Sequence, residues 1–248
     1  FSHMTEVADV VENNNLEKLG SVSDDMSVSA KIRNRIKDSG TAFSSNDNIS
    51  DWIQPHEHAL LKQEIEAKME SLFDSMLIDY KNDHNTKNTA RRMADMYYDE
   101  FFKGRYQPMP SVTEFPNAKN LDEIYTLGPI NLQSMCSHHF LPITGQVWLG
   151  ILPSDRIIGI SKFNRIIDWV MSRPQIQEEA AVMIADTIEK LIAPKGLAVI
   201  IKASHSCMNL RGVKDHQTSM TNAIMRGEFL EDATKKSEFY NLIIFVLY

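Results

Sequence analysis

The stretch Gln146-Val147-Trp148-Leu149-Gly150-Ile151-Leu152, followed by Pro153-Ser154-Asp155-Arg156 and then Ile157-Ile158-Gly159-Ile160, decides the fold class. The first seven residues are rich in β-branched, aromatic and aliphatic side chains and read as a strand, and the Pro-Ser-Asp-Arg run reads as a turn. Two consecutive strands joined by a tight turn predict an antiparallel pair. Upstream, residues 124–135 are β-like, and downstream residues 197–203 form another short apolar run. Between these strands lie two helical patterns. Residues 161–173 place Phe163, Ile166, Ile167 and Val170 on one face, with Ser161 as the expected N-cap. From Pro174, expected at the first helical position, Ile176, Ala180, Met183, Ile184, Ile188 and Leu191 form the next stripe. Helices segregated from consecutive strands predict an α+β fold with an antiparallel sheet.

Ahead of the sheet, Leu61, Ile65, Met69, Leu72, Met76 and Leu77 recur at steps of three and four, predicting an amphipathic helix over residues 57–80. A second helix is expected from Asn88 or Thr89, with Met93, Met96, Tyr97, Phe101 and Phe102 turned inward and Gly104 ending it. Residues 5–51 are rich in Ser, Asn and Asp without a sustained period, and predict a mobile extension. Phe1-Ser2-His3 reads as an added remnant before a native start at Met4. After residues 197–203 a polar segment runs over 215–222, and residues 231–245 are expected to close the chain as a helix, or a helix with a terminal strand.

The chain has 248 residues, 43% of them hydrophobic, enough to bury a core. With 26 basic against 33 acidic residues, the formal charge of -7 argues against a general nucleic-acid binder. No apolar run approaches the roughly 20 residues of a membrane-spanning helix, so no membrane partner is expected. Two cysteines without a secretory leader suit a reduced, cytoplasmic setting.

Both cysteines have histidine beside or near them, in Cys136-Ser137-His138-His139 and in Ser204-His205-Ser206-Cys207. Thiolate and imidazole are ligands that zinc prefers, and three protein ligands leave a fourth position for water. A closed structural site would need one more ligand, His138 or His205. Spacing alone leaves open which of His138 and His139 binds metal. The remaining histidines suit proton transfer in either direction. Lys162 and Arg165 lie three apart near a helix N-terminus, which suits a phosphate. By themselves Arg91 and Arg92 read as solvated cations, and Glu178 as a first-turn carboxylate suited to the helix dipole.

Four motifs in order carry a resemblance. They are Cys136-Ser137-His138-His139, Gly159-Ile160-Ser161-Lys162-Phe163-Asn164-Arg165, Arg173-Pro174-Gln175-Ile176-Gln177-Glu178, and His205-Ser206-Cys207-Met208-Asn209-Leu210-Arg211-Gly212-Val213. Together they resemble the GTP cyclohydrolase I family, from about residue 57 onward, and Thr89-Ala90-Arg91-Arg92-Met93-Ala94 resembles its preceding helix. The resemblance implies Cys136, His139 and Cys207 as zinc ligands and His138 and His205 as proton carriers. It implies Gln177 and Glu178 in the substrate pocket, Lys162, Arg165 and Arg211 on the triphosphate, Ser161 near ribose and phosphates, and Arg92 reaching a neighbouring subunit's phosphates. Arg92 and Glu178 thereby acquire roles that their local context does not suggest.

The implied reaction is hydrolytic opening of the guanine imidazole ring of GTP, releasing formate and forming 7,8-dihydroneopterin triphosphate, the first step of pterin and folate biosynthesis. Alternatives are a related cyclohydrolase for another purine triphosphate such as dGTP, and a non-catalytic zinc-binding regulatory module. The implied fold is the tunnelling fold over residues 119–248, with helices on one face of the sheet and a helical region at 52–118 before it. Its subunits close into a barrel, and two pentamers stack as a homodecamer, with allosteric control and a regulatory protein partner. Two departures stand out: the family has glutamate where Ser137 stands and proline where Ala90 stands. Loss of that glutamate removes a carboxylate that would orient the metal ligands.

Overall fold

The structure, a computed structural model, describes residues 26–247. The expected start at Met4 and residues 5–25 of the expected extension lie outside the described residues. The architecture is mixed α+β. Its centre is a five-stranded sheet, of order β5-β2-β3-β6-β7, formed by β2 (Tyr125–Cys136), β3 (Pro142–Leu152), β5 (Pro174–Gln175), β6 (Gly196–His205) and β7 (Met220–Gly227). Every pairing is antiparallel except the two-residue contact of β5 with β2.

The expected hairpin after residue 152 does not form. β4 (Arg156–Ile158) pairs instead with the distant β1 (Glu114–Pro116), Phe115 opposite Ile157. The reason is that β3 is the central strand. Its two edges are taken by β2 and β6, in registers running from Tyr125↔Ile151 and from Ile143↔His205, so no ladder remains for the chain that follows it. β7 begins inside the polar segment of residues 215–222 and runs on to Gly227; it forms because the outer edge of β6 offers unpaired backbone groups.

Helix α5 (Ile160–Met171) buries Phe163, Ile166, Ile167 and Val170, and α6 (Gln177–Ile192) buries Ala180, Ala181, Ile184 and Ile188. Both cover the face carrying Val147, Leu149, Ile151, Val199 and Ile201. The N-cap of α5 is Gly159 rather than Ser161, because the chain leaves β4 extended and turns helical two residues earlier. Pro174 does not open α6. It pairs with Met135 in β5, and the helix starts after extended Ile176.

Helices on one face of the sheet are only half of the arrangement. Alternation along β3 and β6 also makes the second face apolar through Trp148, Leu152, Ala198 and Ile200. Phe229 of α8 (Glu228–Glu231) and Phe239 and Ile243 of α9 (Ala233–Leu247) cover it. Burying each such side chain stabilises the fold by about 1.5–3 kcal/mol.

In the N-terminal region, α1 (Val28–Asp38) buries Ile32 and Ile36 against Ile49, Ile53, Leu61 and Tyr98. Residues 26–51 are therefore docked, where composition predicts mobility; an i, i+4 isoleucine pair suffices for a short stripe. Helix α2 (Glu57–Ser75) buries Leu61 and Phe73 and leaves Leu72 exposed; Met76 and Leu77 are exposed because the helix ends before Met76 and Leu77 turns to positive φ. Helix α3 (Thr89–Asp95) passes into a π-helical turn (Met96–Phe101), then α4 (Lys103–Tyr106). Phe102 is buried as expected, while the wider turn buries Tyr98 and leaves Tyr97 and Phe101 half-buried. Gly104 does not end the helix. It lies inside α4 at a close crossing with α5, where an added Cβ would fall 1.8 Å from the Trp169 carbonyl oxygen, and its N–H donates to the Ser172 carbonyl, 3.0 Å.

Candidate active site

The site is built where β2, β6 and the start of α6 meet. Cys136 ends β2, and the loop to β3 is a tight turn in which the Phe140 N–H donates to the Cys136 carbonyl (2.8 Å) and the Cys136 N–H to the Leu141 carbonyl (2.9 Å). That turn presents His138 and His139. β6 ends at His205, and the chain turns at once into α7 (Ser206–Asn209), which carries Cys207. The strand thus stops before Cys207, and the helical turn brings the Cys207 thiol towards Cys136 at the end of β2.

As a result the ligand atoms of Cys136, His139 and Cys207 all lie within 4.8 Å of one another. Cys136 is buried, Cys207 half-buried and His139 exposed, so the group is held by the core on one side and open on the other. Two thiols and an imidazole at this separation fit a zinc-type ion in both donor chemistry and number. Burial pushes the Cys207 thiol up, and the neighbouring Cys136 thiol adds to this, against the charge of Arg211. A dication between the sulfurs would reverse that balance. His138 stands beside the group, its Nδ1 3.8 Å from Cys136 Sγ.

His205 is fixed by a different contact. Its Nε2 lies 2.9 Å from Gln177 Oε1. The Gln177 amide nitrogen donates to the carbonyls of Ile201 (3.2 Å) and Met220 (3.1 Å) and to Asn222 Oδ1 (2.8 Å). With its two N–H hydrogens shared among three acceptors, Gln177 offers His205 its oxygen as acceptor, so neutral His205 carries its proton on Nε2 and keeps Nδ1 as the free base. Burial depresses the His205 pKa, opposed by the charge of Glu178. Glu178 itself is exposed at the start of α6.

The expected anion-binding set is only partly gathered. Arg211 Nη1 lies 3.0 Å from His139 Nε2, which puts one cation at the thiol-imidazole group. Lys162 donates to the Ser111 carbonyl, 3.2 Å. Ser161 and Arg165 are exposed near the start of α5, Arg92 is exposed on α3, and no hydrogen bond among the described residues joins these to the Cys136 group. Asn222, which helps orient Gln177, was missed because β7 was not recognised. Ser137 keeps a structural contact, its N–H donating to the Gln175 carbonyl across the β2–β5 contact, 3.2 Å.

The α+β domain thus places, beside the ends of its strands, a thiol-imidazole group that could hold a metal ion. The sequence model of GTP cyclohydrolase I matches residues 65–244. Curated relatives named GTP cyclohydrolase 1 include that of Haemophilus ducreyi, 33% identical over 73% of this chain and 84% of the relative. That of Tolumonas auensis is 35% identical over 75% of this chain and 88% of the relative. The chain belongs to the GTP cyclohydrolase I family, a family of enzymes. Among solved structures, the archaeosine synthase QueF-Like in the apo form aligns with 48% of this chain and 97% of its own, at 15% identity and a TM-score of 0.33, a likeness too slight to bear on fold or function.

Proposed function

We propose that the chain is a zinc-dependent GTP cyclohydrolase that hydrolytically opens the guanine imidazole ring, releases C8 as formate and yields 7,8-dihydroneopterin triphosphate. The observation that carries this reading is the convergence of Cys136, His139 and Cys207 within 4.8 Å, beside a His205 whose tautomer is set by Gln177. Zinc held there supplies Lewis-acid activation of water at neutral pH. His205, with Nδ1 free to accept, and His138, at the edge of the thiol group, move protons to and from the opening ring.

Glu178 accepts two hydrogen bonds from the guanine N1–H and 2-amino group. Adenine lacks that donor pair, and leaving the carboxylate unpaired costs about 1–3 kcal/mol. Arg211, Lys162 and Arg165, with Ser161, hold the triphosphate, and Arg92 reaches it from a neighbouring subunit. In this reading the sheet is a tunnelling-fold unit that closes with its copies into a barrel, and two pentamers form a cytoplasmic homodecamer. Arg92 is exposed and, among the described residues, makes no hydrogen bond to its own chain's thiol group, which fits a site completed between subunits.

The test is incubation of the purified, zinc-replete chain with GTP. Formate and a pterin that becomes fluorescent on oxidation are expected in equal amounts, and the appearance of neither sinks the proposal.

A further inference from the structure

Residues 43–47 lie between α1 and α2, ahead of the span that the family model matches. Their carbonyls are nevertheless gathered by two arginines from inside that span. Arg105 donates through Nη1 to the carbonyls of Ser44, Ser45 (3.2 Å) and Asp47 (2.9 Å), and through Nη2 to that of Phe43 (3.2 Å). Arg173 is 3% exposed and stacks over the Trp169 ring at 4.0 Å. It donates through Nη1 to the Asn46 carbonyl (3.0 Å) and to Met183 Sδ (3.1 Å), while its Nε and Nη2 are buried without a partner. Among the described residues, the Asn46 carbonyl is thus the one oxygen that this buried cation engages. Charge-assisted bonds are roughly twice as strong as neutral ones, so the segment is tied down as a strap.

The strap then reaches the helix that carries the purine contact. Asn46 Nδ2 donates to Glu179 Oε2, 2.8 Å, and Glu179 adjoins Glu178 in the first turn of α6. That turn begins after Ile176 and has no side-chain cap, so its free N–H groups do not hold it in place. Two side-chain contacts locate it instead. From the sheet side the Gln177 amide bonds into β6 and β7. From the opposite side Asn46 holds Glu179. An open groove of about 560 Å³ runs between strap and helix, with Glu178 on one wall and Asn46 and Asp47 on the other.

We propose that Asn46 is a positioning residue: through Glu179 the strap sets the aim of Glu178, and so the affinity of the pocket for its purine. The inference rests on the reading of Glu178 as the base contact. Because the strap makes no hydrogen bond to Cys136, His139, Cys207 or His205 among the described residues, it acts on KM rather than on kcat.

The test uses the full chain with Asn46→Ala, Asn46→Asp, Glu179→Ala and the Asn46→Ala/Glu179→Ala double variant. KM for GTP is expected to rise about 3- to 10-fold in Asn46→Ala and further in Asn46→Asp, where two carboxylates face each other, with kcat kept within about twofold. Zinc content should not change. The double variant should be no worse than either single one. Amide hydrogen exchange over residues 177–182 should accelerate in the same order as KM. Unchanged KM in both Asn46 variants, or effects that simply add in the double variant, overturns the proposal. Unchanged exchange also overturns it, whether or not GTP is the substrate. A wild-type chain that releases no formate refutes the cyclohydrolase reading separately, and exchange over residues 177–182 then decides the strap alone.

Discussion

Gln177 Oε1 accepts from His205 Nε2 at 2.9 Å, while the same amide's nitrogen bonds the backbone of β6 and β7. One buried side chain therefore joins helix, sheet and proton carrier. Gln177→Leu leaves the Ile201 and Met220 carbonyls without this donor and frees the imidazole to rotate. Stability should fall by about 1–3 kcal/mol in urea denaturation, and GTP turnover by about 10- to 100-fold, as for other residues that orient a site.

Removing the imidazoles tests the proton roles directly. His138→Ala and His205→Ala should each keep the fold and bound zinc while turnover falls about 10²- to 10⁴-fold. Full activity in both variants refutes those roles. Unfolding in both would favour a purely structural metal site.

The thiol group makes a prediction about metal content. Cys136→Ser and Cys207→Ser each replace a thiolate donor with a poor one, so zinc per chain, measured by elemental analysis after dialysis, should drop well below that of the parent. Dialysis of the parent against a strong chelator should abolish turnover, and added zinc should restore it.

Glu57 predicts an acid-sensitive N-terminal region. Burial pushes its carboxyl up, but the Arg35 hydrogen bond, the Gln54 N–H and the charges of Arg35 and His56 outweigh it, so Glu57 ionises below the usual carboxylate range. The stabilisation is complete above the unfolded pKa of about 4.3 and is lost as pH falls through the lower folded value. Arg35→Ala should cost about 1–3 kcal/mol at pH 7 and flatten the parent's loss of stability below about pH 4. Urea titrations at neutral and acid pH check both.

Much of this was readable from local pattern. The α5 stripe of Phe163, Ile166, Ile167 and Val170 is buried as its spacing predicts, because a 3.6-residue period states which face is apolar. The same pattern does not state what covers that face. Trp148 and Ile200 were parts of apolar strands with no assigned partner until Phe239 was found across them. The π-helical turn at Met96–Phe101 defeats periodic reading for a different reason: a wider turn changes the angular spacing of side chains, so that Tyr98 is buried where the period picks Tyr97.

By itself the sequence determined that the chain is α+β, that its thiols are Cys136 and Cys207, each with histidine nearby, and that its motifs are those of one family. Only the tertiary structure shows the ligand atoms of Cys136, His139 and Cys207 brought within 4.8 Å of one another, β4 paired with β1, and residues 43–47 tied to Arg105 and Arg173. The physical reason is the same in each case. Composition and period are properties of neighbouring residues, whereas ligand sets, strand partners and buried hydrogen bonds are closed between residues far apart in the chain, and their geometry exists only once the core has brought those segments together.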